Sequence, residues 1–277
     1  MHHQQNLEPS TWRLLITPPL DGATNMAIDE AILYALAEGH SQPTLRFYEW
    51  TPPCLSLGYN QHYTEVDETA CRALEYTWVR RATGGRAILH TDELTYSLVT
   101  RRDDPRVKGD IVESYRALSR GLLAGLNLLG VQAVQAKGDR PKNPNQGAAC
   151  FDTPSHYEVT LNGKKLVGSA QVRRKGMVLQ HGTLPLRGDI SRIFEVLALS
   201  PGEKERLRQE LLDRATTLET ELGLVVSFRE AAEALGQGFG QALHLQLEPG
   251  ALTQEEQALA DRLRTEQYAN DAWNKRI

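Results

Sequence analysis

The chain has 277 residues, 40% of them hydrophobic and 24% charged, with a net charge of -4, a composition ordinary for a globular protein of one large domain or two small ones. This balance argues against a bulk electrostatic partner such as nucleic acid. No run approaches the ~18 apolar residues of a membrane span, and the N-terminus MHHQQNLEPSTW has no apolar leader, so no membrane association and a cytoplasmic location are expected.

Residues 12–16 read as a short strand, and a helix capped by Thr24 or Asn25 follows to about Glu38, with Met26, Ile28, Ile32, Ala35 and Leu36 on one face. Asp29 and Glu30 read as a solvated or first-turn acidic pair without a catalytic role. Residues 45–50 and 54–58 are expected as strands broken by Thr-Pro-Pro, and 63–76 as a helix. Three widely spaced cysteines, Cys54, Cys71 and Cys150, lack CxxC or Cys/His spacing, which supports neither a disulfide framework nor a structural zinc site. Cys54 and Cys71 fall in the elements just described and read as structural.

The stretch WVRRATGGRAILH, from Trp78 to His90, runs a strand into a glycine loop and a strand out of it. Glycines there allow successive amides to face an oxygen-bearing ligand, with arginines adding charge. The alternative is a plain hairpin turn with surface arginines. The spacing is not that of the nucleotide-hydrolase phosphate loop. An alternating strand over 94–100 comes next, then a helix over 110–129 opened by Asp110 and Glu113 at capping-box spacing. Residues 138–147, GDRPKNPNQG, read as a loop.

Residues 148–171, AACFDTPSHYEVTLNGKKLVGSAQ, form the stretch around which the rest is arranged. Alternation over 155–161 and the Asn162-Gly163 pair predict a hairpin, and strands over 155–161, 164–172 and 177–184 predict an antiparallel meander. A hairpin fixes Lys165 on a rigid element with Cys150 on the approach to it. A lone cysteine is more often a small buried hydrophobe. A thiol with a pKa of about 8.5 is nevertheless activated by a neighbouring cation that favours the thiolate. His181 is a possible acid/base group, although an isolated strand histidine is more often structural. Helical patterns at 190–197, 203–214 and 228–235, a strand at 243–247 and a last helix from Thr253 to about Asn270 complete the chain. One continuous domain over 12–277 is expected, with a sheet-containing core over about 12–247 and a helical portion over about 252–277.

The segments LRFYEWTPPCLSLGYNQ, RRATGGRAILHTDELTYS, ACFDTPSHYEV and KLVGSAQVRRKGMVLQHGTL together resemble the lipoate-protein ligase A and biotin ligase superfamily, and more narrowly its octanoyltransferase branch. The resemblance implies an α+β fold, a mixed and largely antiparallel sheet flanked by helices, as in the biotin/lipoate protein ligase catalytic domain. It also implies transfer of octanoyl from octanoyl-acyl carrier protein to a lipoyl-domain lysine, such as that of the glycine cleavage H protein. Cys150 matches the branch's acyl-accepting cysteine, and the K-x-x-G-x-A segment places Lys165 at the reaction centre. Substrate-binding roles fall to Arg80, Arg81, Thr83, Gly84, Gly85, Arg86, His90, Gly168, Ser169, Ala170, Gln171, His181 and Gly182.

No ATP or metal is expected, because the donor's phosphopantetheine thioester already activates the acyl group. On this reading Lys165→Ala spares the fold and abolishes acyl-enzyme formation. The competing readings are an ATP-dependent lipoate ligase in which Cys150 is incidental, octanoyl transfer between two lipoyl domains, and a non-catalytic carrier-binding protein.

Overall fold

The computed structural model describes residues 7–136 and 158–277. Its strands are β1 (Ser10–Ile16), β2 (Thr44–Tyr48), β3 (Cys54–Leu57), β4 (Thr77–Arg80), β5 (Ile88–His90), β6 (Glu93–Arg101), β7 (Val134–Gln135), β8 (Val159–Leu161), β9 (Lys164–Arg174), β10 (Met177–Pro185) and β11 (Leu245–Pro249). The helices are α1 (Gly22–Ala37), α2 (Glu68–Ala73), α3 (Ile111–Leu128), α4 (Pro201–Arg214), α5 (Leu218–Leu222), α6 (Phe228–Leu243), α7 (Gln254–Leu263) and α8 (Asp271–Asn274). An eight-stranded sheet has the order β11-β1-β2-β6-β10-β9-β8-β7, and a three-stranded sheet the order β4-β3-β5. Only the β11-β1 and β1-β2 pairs of the large sheet are parallel. The fold is therefore α+β with a mostly antiparallel sheet, as the sequence led us to expect.

The antiparallel meander β8-β9-β10 forms, with a register shift between Val159 and Thr160, and its turn places Asn162 and Gly163 at positive φ, as the Asn-Gly pair predicts. Residues 155–157 of the first expected strand, the 138–147 loop and Cys150 lie outside the described residues. The capping boxes at Asp110/Glu113, Ser227/Glu230 and Thr253/Glu256 are all present. Local competition shortens other helices. Asp67 caps α2 afresh, so 63–76 divides into a 3-10 turn and α2, and 190–197 is a 3-10 turn over Ile190–Glu195.

Strand alternation divides the interior. Leu94, Tyr96 and Leu98 of β6 pack with α3 and α6, while Thr95, Ser97 and Val99 face the α1 side. Both faces of β6 are thus covered, and α1 is buried along most of its surface. The small sheet packs on α4 and the 190–195 turn through Leu55, Leu57, Phe194 and Leu211. Among the described residues no helix is long and apolar enough to cross a membrane.

Candidate active site

A cavity of about 420 Å³, open solvent included, lies where the small sheet meets the α1 side of the large one. β3 and β5 supply Ser56, Ile88 and His90, β9 supplies Gly168, Ser169 and Ala170, and β10 supplies His181, Gly182 and Thr183. Met26, Tyr48 and Trp50 make much of the remaining wall apolar. The β10-β9 register, His181 opposite Ala170 and Gly182 opposite Ser169, carries the two predicted segments to one place.

The glycine loop is not a hairpin turn. β4 and β5 both pair with β3, so residues 81–87 cross the end of that strand. Gly58 shows why the crossing is tight, since a Cβ there would stand 1.8 Å from the Gly85 carbonyl oxygen. Gly85 itself has φ +98. The Arg81 guanidinium braces the crossing from within. Its Nη2 donates to the carbonyls of Gly84 (2.9 Å) and Arg86 (2.8 Å), and its Nη1 donates to the Ser56 carbonyl (3.0 Å).

Arg81 also donates to two hydroxyls, Ser56 Oγ at 3.1 Å and Thr83 Oγ1 at 3.2 Å. Each hydroxyl contacts a histidine Nε2, Ser56 with His90 at 2.8 Å and Thr83 with His181 at 2.7 Å. A guanidinium only donates, so each hydroxyl accepts from Arg81 and has its own proton to offer a histidine. A proton given that way to Nε2 would leave Nδ1 as the nitrogen that donates toward a carboxylate. The carboxylates agree, since Glu93 Oε1 is 2.5 Å from His90 Nδ1 and Asp29 Oδ2 is 3.6 Å from His181 Nδ1. Burial pushes the His181 imidazole below its ordinary pKa despite Asp29, which keeps the ring neutral. Trp50 stacks on His90 with ring centroids 3.9 Å apart, and its Nε1 donates to Thr95 Oγ1, which donates to Glu93.

Asp29 is not solvated. It is 1% exposed, and although burial pushes its carboxyl up, Arg46 at 2.7 Å, with His181 and Ser97, holds it below the usual range. Glu30 is also buried and accepts from the Tyr268 hydroxyl and Arg174. The expectation of a solvated pair fails on two sides, since Asp29 faces Arg46 and Ser97 of the sheet while α7 and the segment after it cover Glu30. The signal available was the composition of α1, apolar on nearly every side.

The predicted residues divide. Arg81, Gly85, His90, Gly168, Ser169, Ala170, His181 and Gly182 line the cavity, and Thr83 stands one hydrogen bond behind it. Arg80 does not reach it. Its buried guanidinium donates to the carbonyls of Gly58, Tyr59, Gln61 and Asn274, because its strand alternation turns it away from Arg81. Gly84 and Arg86 are on the outer side of the loop, where Arg86 approaches Glu65. Gln171 bonds Ser114 and Gln180 on the α3 side. Lys165 sits three residues along β9 from Gly168, roughly 10 Å, with Nζ 2.5 Å from Glu158 Oε1 and both side chains nearly buried. Removing that ammonium takes the ion-pair partner from a nearly buried carboxylate, so Lys165→Ala carries a stability cost that the sequence reading did not include.

Burial pushes the Cys54 thiol up to about 12 and the Cys71 thiol to about 11, so neither is a nucleophile at neutral pH. Among the described residues no group of three His, Cys, Asp or Glu side chains is placed to hold a metal ion. Asp29, Ser56, Glu93, Thr95 and Thr183 were missed by sequence reasoning, and only Glu93, three residues after His90, stood close enough to suggest a partner.

The chain belongs to the lipoyl protein ligase A/B catalytic domain family, which it matches over residues 21–240. Within that class it is similar to octanoyltransferase LipM of Kyrpidia tusciae, 46% identical over 272 residues that cover 96% of this chain and 99% of that protein. It is likewise similar to octanoyltransferase LipM of Symbiobacterium thermophilum, 47% identical with the same coverage. The fold resembles a bipartite lipoate protein ligase of Thermoplasma acidophilum, studied with its E2 lipoyl domain, at TM-score 0.79 and 26% identity over 96% of each chain. It also resembles a lipoate-protein ligase A bound with ATP, at TM-score 0.77 and 27% identity over 96% of this chain and 99% of that one.

Proposed function

We propose that this protein is an acyltransferase that moves octanoyl from octanoyl-acyl carrier protein to a lipoyl-domain lysine, an early step in making protein-bound lipoate. The observation that carries the reading is its likeness, at 46–47% identity across nearly the whole chain, to octanoyltransferases. A cavity whose walls are mostly apolar, as a hydrocarbon chain requires, supports it.

In this mechanism the Cys150 thiolate attacks the thioester carbonyl of the donor. The carbon–sulfur bond to phosphopantetheine breaks, and the freed thiol takes a proton. The amine of the acceptor lysine then attacks the Cys150 thioester, loses a proton to solvent or to a neighbouring base, and releases Cys150 as the amide forms. Lys165 is assigned the positive charge that favours the thiolate. Thioester exchange is nearly neutral in energy and amide formation is downhill, so ATP and metal are not required. The acceptor we favour is the glycine cleavage H protein, and we place the reaction in the cytoplasm.

The likeness to an ATP-bound ligase favours a second reading, ATP-dependent attachment of free octanoate or lipoate. One incubation separates them. With octanoyl-acyl carrier protein and an apo lipoyl domain, octanoyl amide is expected without ATP and is lost in Cys150→Ala, as read by intact mass. Product that needs ATP and free acid, or that persists in Cys150→Ala, overturns the first reading.

A further inference from the structure

Thr183 is 1% exposed and lines the cavity, yet its Oγ1 is buried without a hydrogen-bond partner. Among the described residues two other buried side-chain atoms share that condition, Trp12 Nε1 and Gln135 Nε2, and neither residue lines this cavity. Strand register explains why no neighbouring side chain bonds the Thr183 hydroxyl. Its ladder partner on β9 is Gly168, which has no side chain to offer. Its partner on β6 is Thr95, whose hydroxyl already accepts from Trp50 and donates to Glu93. The histidine two residues before it on the same face is engaged with Thr83 and Asp29.

A buried hydroxyl left unpaired is costly, and such a group in a native protein is met by ordered water, an ion or a ligand or serves in catalysis. The surrounding walls are mostly apolar, so the completing group arrives on a hydrocarbon. We infer that Thr183 is a substrate-binding residue whose hydroxyl donates a hydrogen bond to the carbonyl oxygen of the acyl thioester, fixing where the acyl chain stops and the reacting carbon begins. This rests on the acyl-transfer reading above. It adds to it a residue that neither the glycine loop nor the K-x-x-G-x-A segment contains.

Thr183→Val keeps the shape and removes the hydroxyl, and Thr183→Ser keeps the hydroxyl. In full-length protein carrying Cys150→Ala, binding of S-octanoyl pantetheine is measured by calorimetry and compared with S-octyl pantetheine, the thioether without a carbonyl. Thr183→Val is expected to weaken the thioester about tenfold and to leave the thioether unchanged, with Thr183→Ser close to the parent. Because the valine removes an unpaired polar group, the unliganded protein should melt no lower than the parent.

A lower melting temperature with unchanged thioester binding would assign the hydroxyl to structure or to ordered water and overturn the inference. An equal loss for thioester and thioether, or binding of neither compound by the parent, would also overturn it. These readouts need no turnover, so a protein that transfers no octanoyl would refute the functional reading while the thioester–thioether difference still decides Thr183.

Discussion

Lys165 on β9 and Glu158, the residue before β8, meet at 2.5 Å, each side chain less than a tenth exposed. A charge pair in that position is a weak source of stability but a strong liability when halved. Lys165→Ala is expected to lower the unfolding free energy by about 3 kcal/mol in urea titration, whereas Glu158→Gln with Lys165→Met should recover most of it. The double variant then isolates the chemistry. If it forms the octanoyl adduct on Cys150 at the parental rate, the lysine has no part in activating the sulfur. Arg81 makes the same point with opposite emphasis. Arg80 and Arg81 read alike in RRATGG, but one holds the backbone around Gly58 and the other lines the cavity.

Among the elements, α3 and α6 approach backbone to backbone where Gly125 meets Gly238. A Cβ on Gly238 would stand 2.1 Å from the Gly125 backbone nitrogen, and one on Gly121 would stand 2.3 Å from Phe239. Backbone cannot yield as a flexible side-chain tip can, so Gly238→Ala must push the helices apart. It should cost roughly 2 kcal/mol, read as a lowered denaturant midpoint with unchanged m-value, although alanine is the better helix former. An unchanged midpoint would mean that the crossing relaxes freely. The glycine loop depends on close approach as well, and Gly58 against Gly85 is where it is tightest.

Across the whole molecule, buried acids tie the two ends of the chain to its sheet. Arg13 on β1 grips Glu256 on α7 at 2.5 Å and 2.7 Å, and Arg46 on β2 grips Asp29 on α1 at 2.7 Å. Burial pushes the Glu256 carboxyl up, but hydrogen bonds from Arg13 and Ser41 outweigh it and hold it below its ordinary pKa, as Arg46 does for Asp29. His181 is also lowered, by burial. For all three the unfolded chain binds the proton more readily than the folded one, so stability is present above the unfolded pKa and falls with pH. The melting temperature should first drop below about pH 6.5, where an unfolded histidine charges, and again below about pH 4.5 as carboxylates protonate. His181→Gln should flatten the first limb only. A first limb equally steep in that variant would remove His181 as its source.

Much of this was legible because it is local. Asp110 with Glu113, Ser227 with Glu230 and Asn162 with Gly163 act within a few residues, and each formed the cap or turn that its spacing implies. The segments around the glycine loop and after Lys165 also announced themselves, and eight of the residues predicted there for the site share one cavity. What the chain alone determined was therefore its elements, its family and the polar motifs it brings to chemistry. Tertiary structure decided which side of each strand those motifs face and what stands behind them. Asp29 behind His181, Glu93 behind His90 and the unpaired hydroxyl of Thr183 depend on sheet register and on which helix covers which face, relations between distant residues that no local pattern encodes.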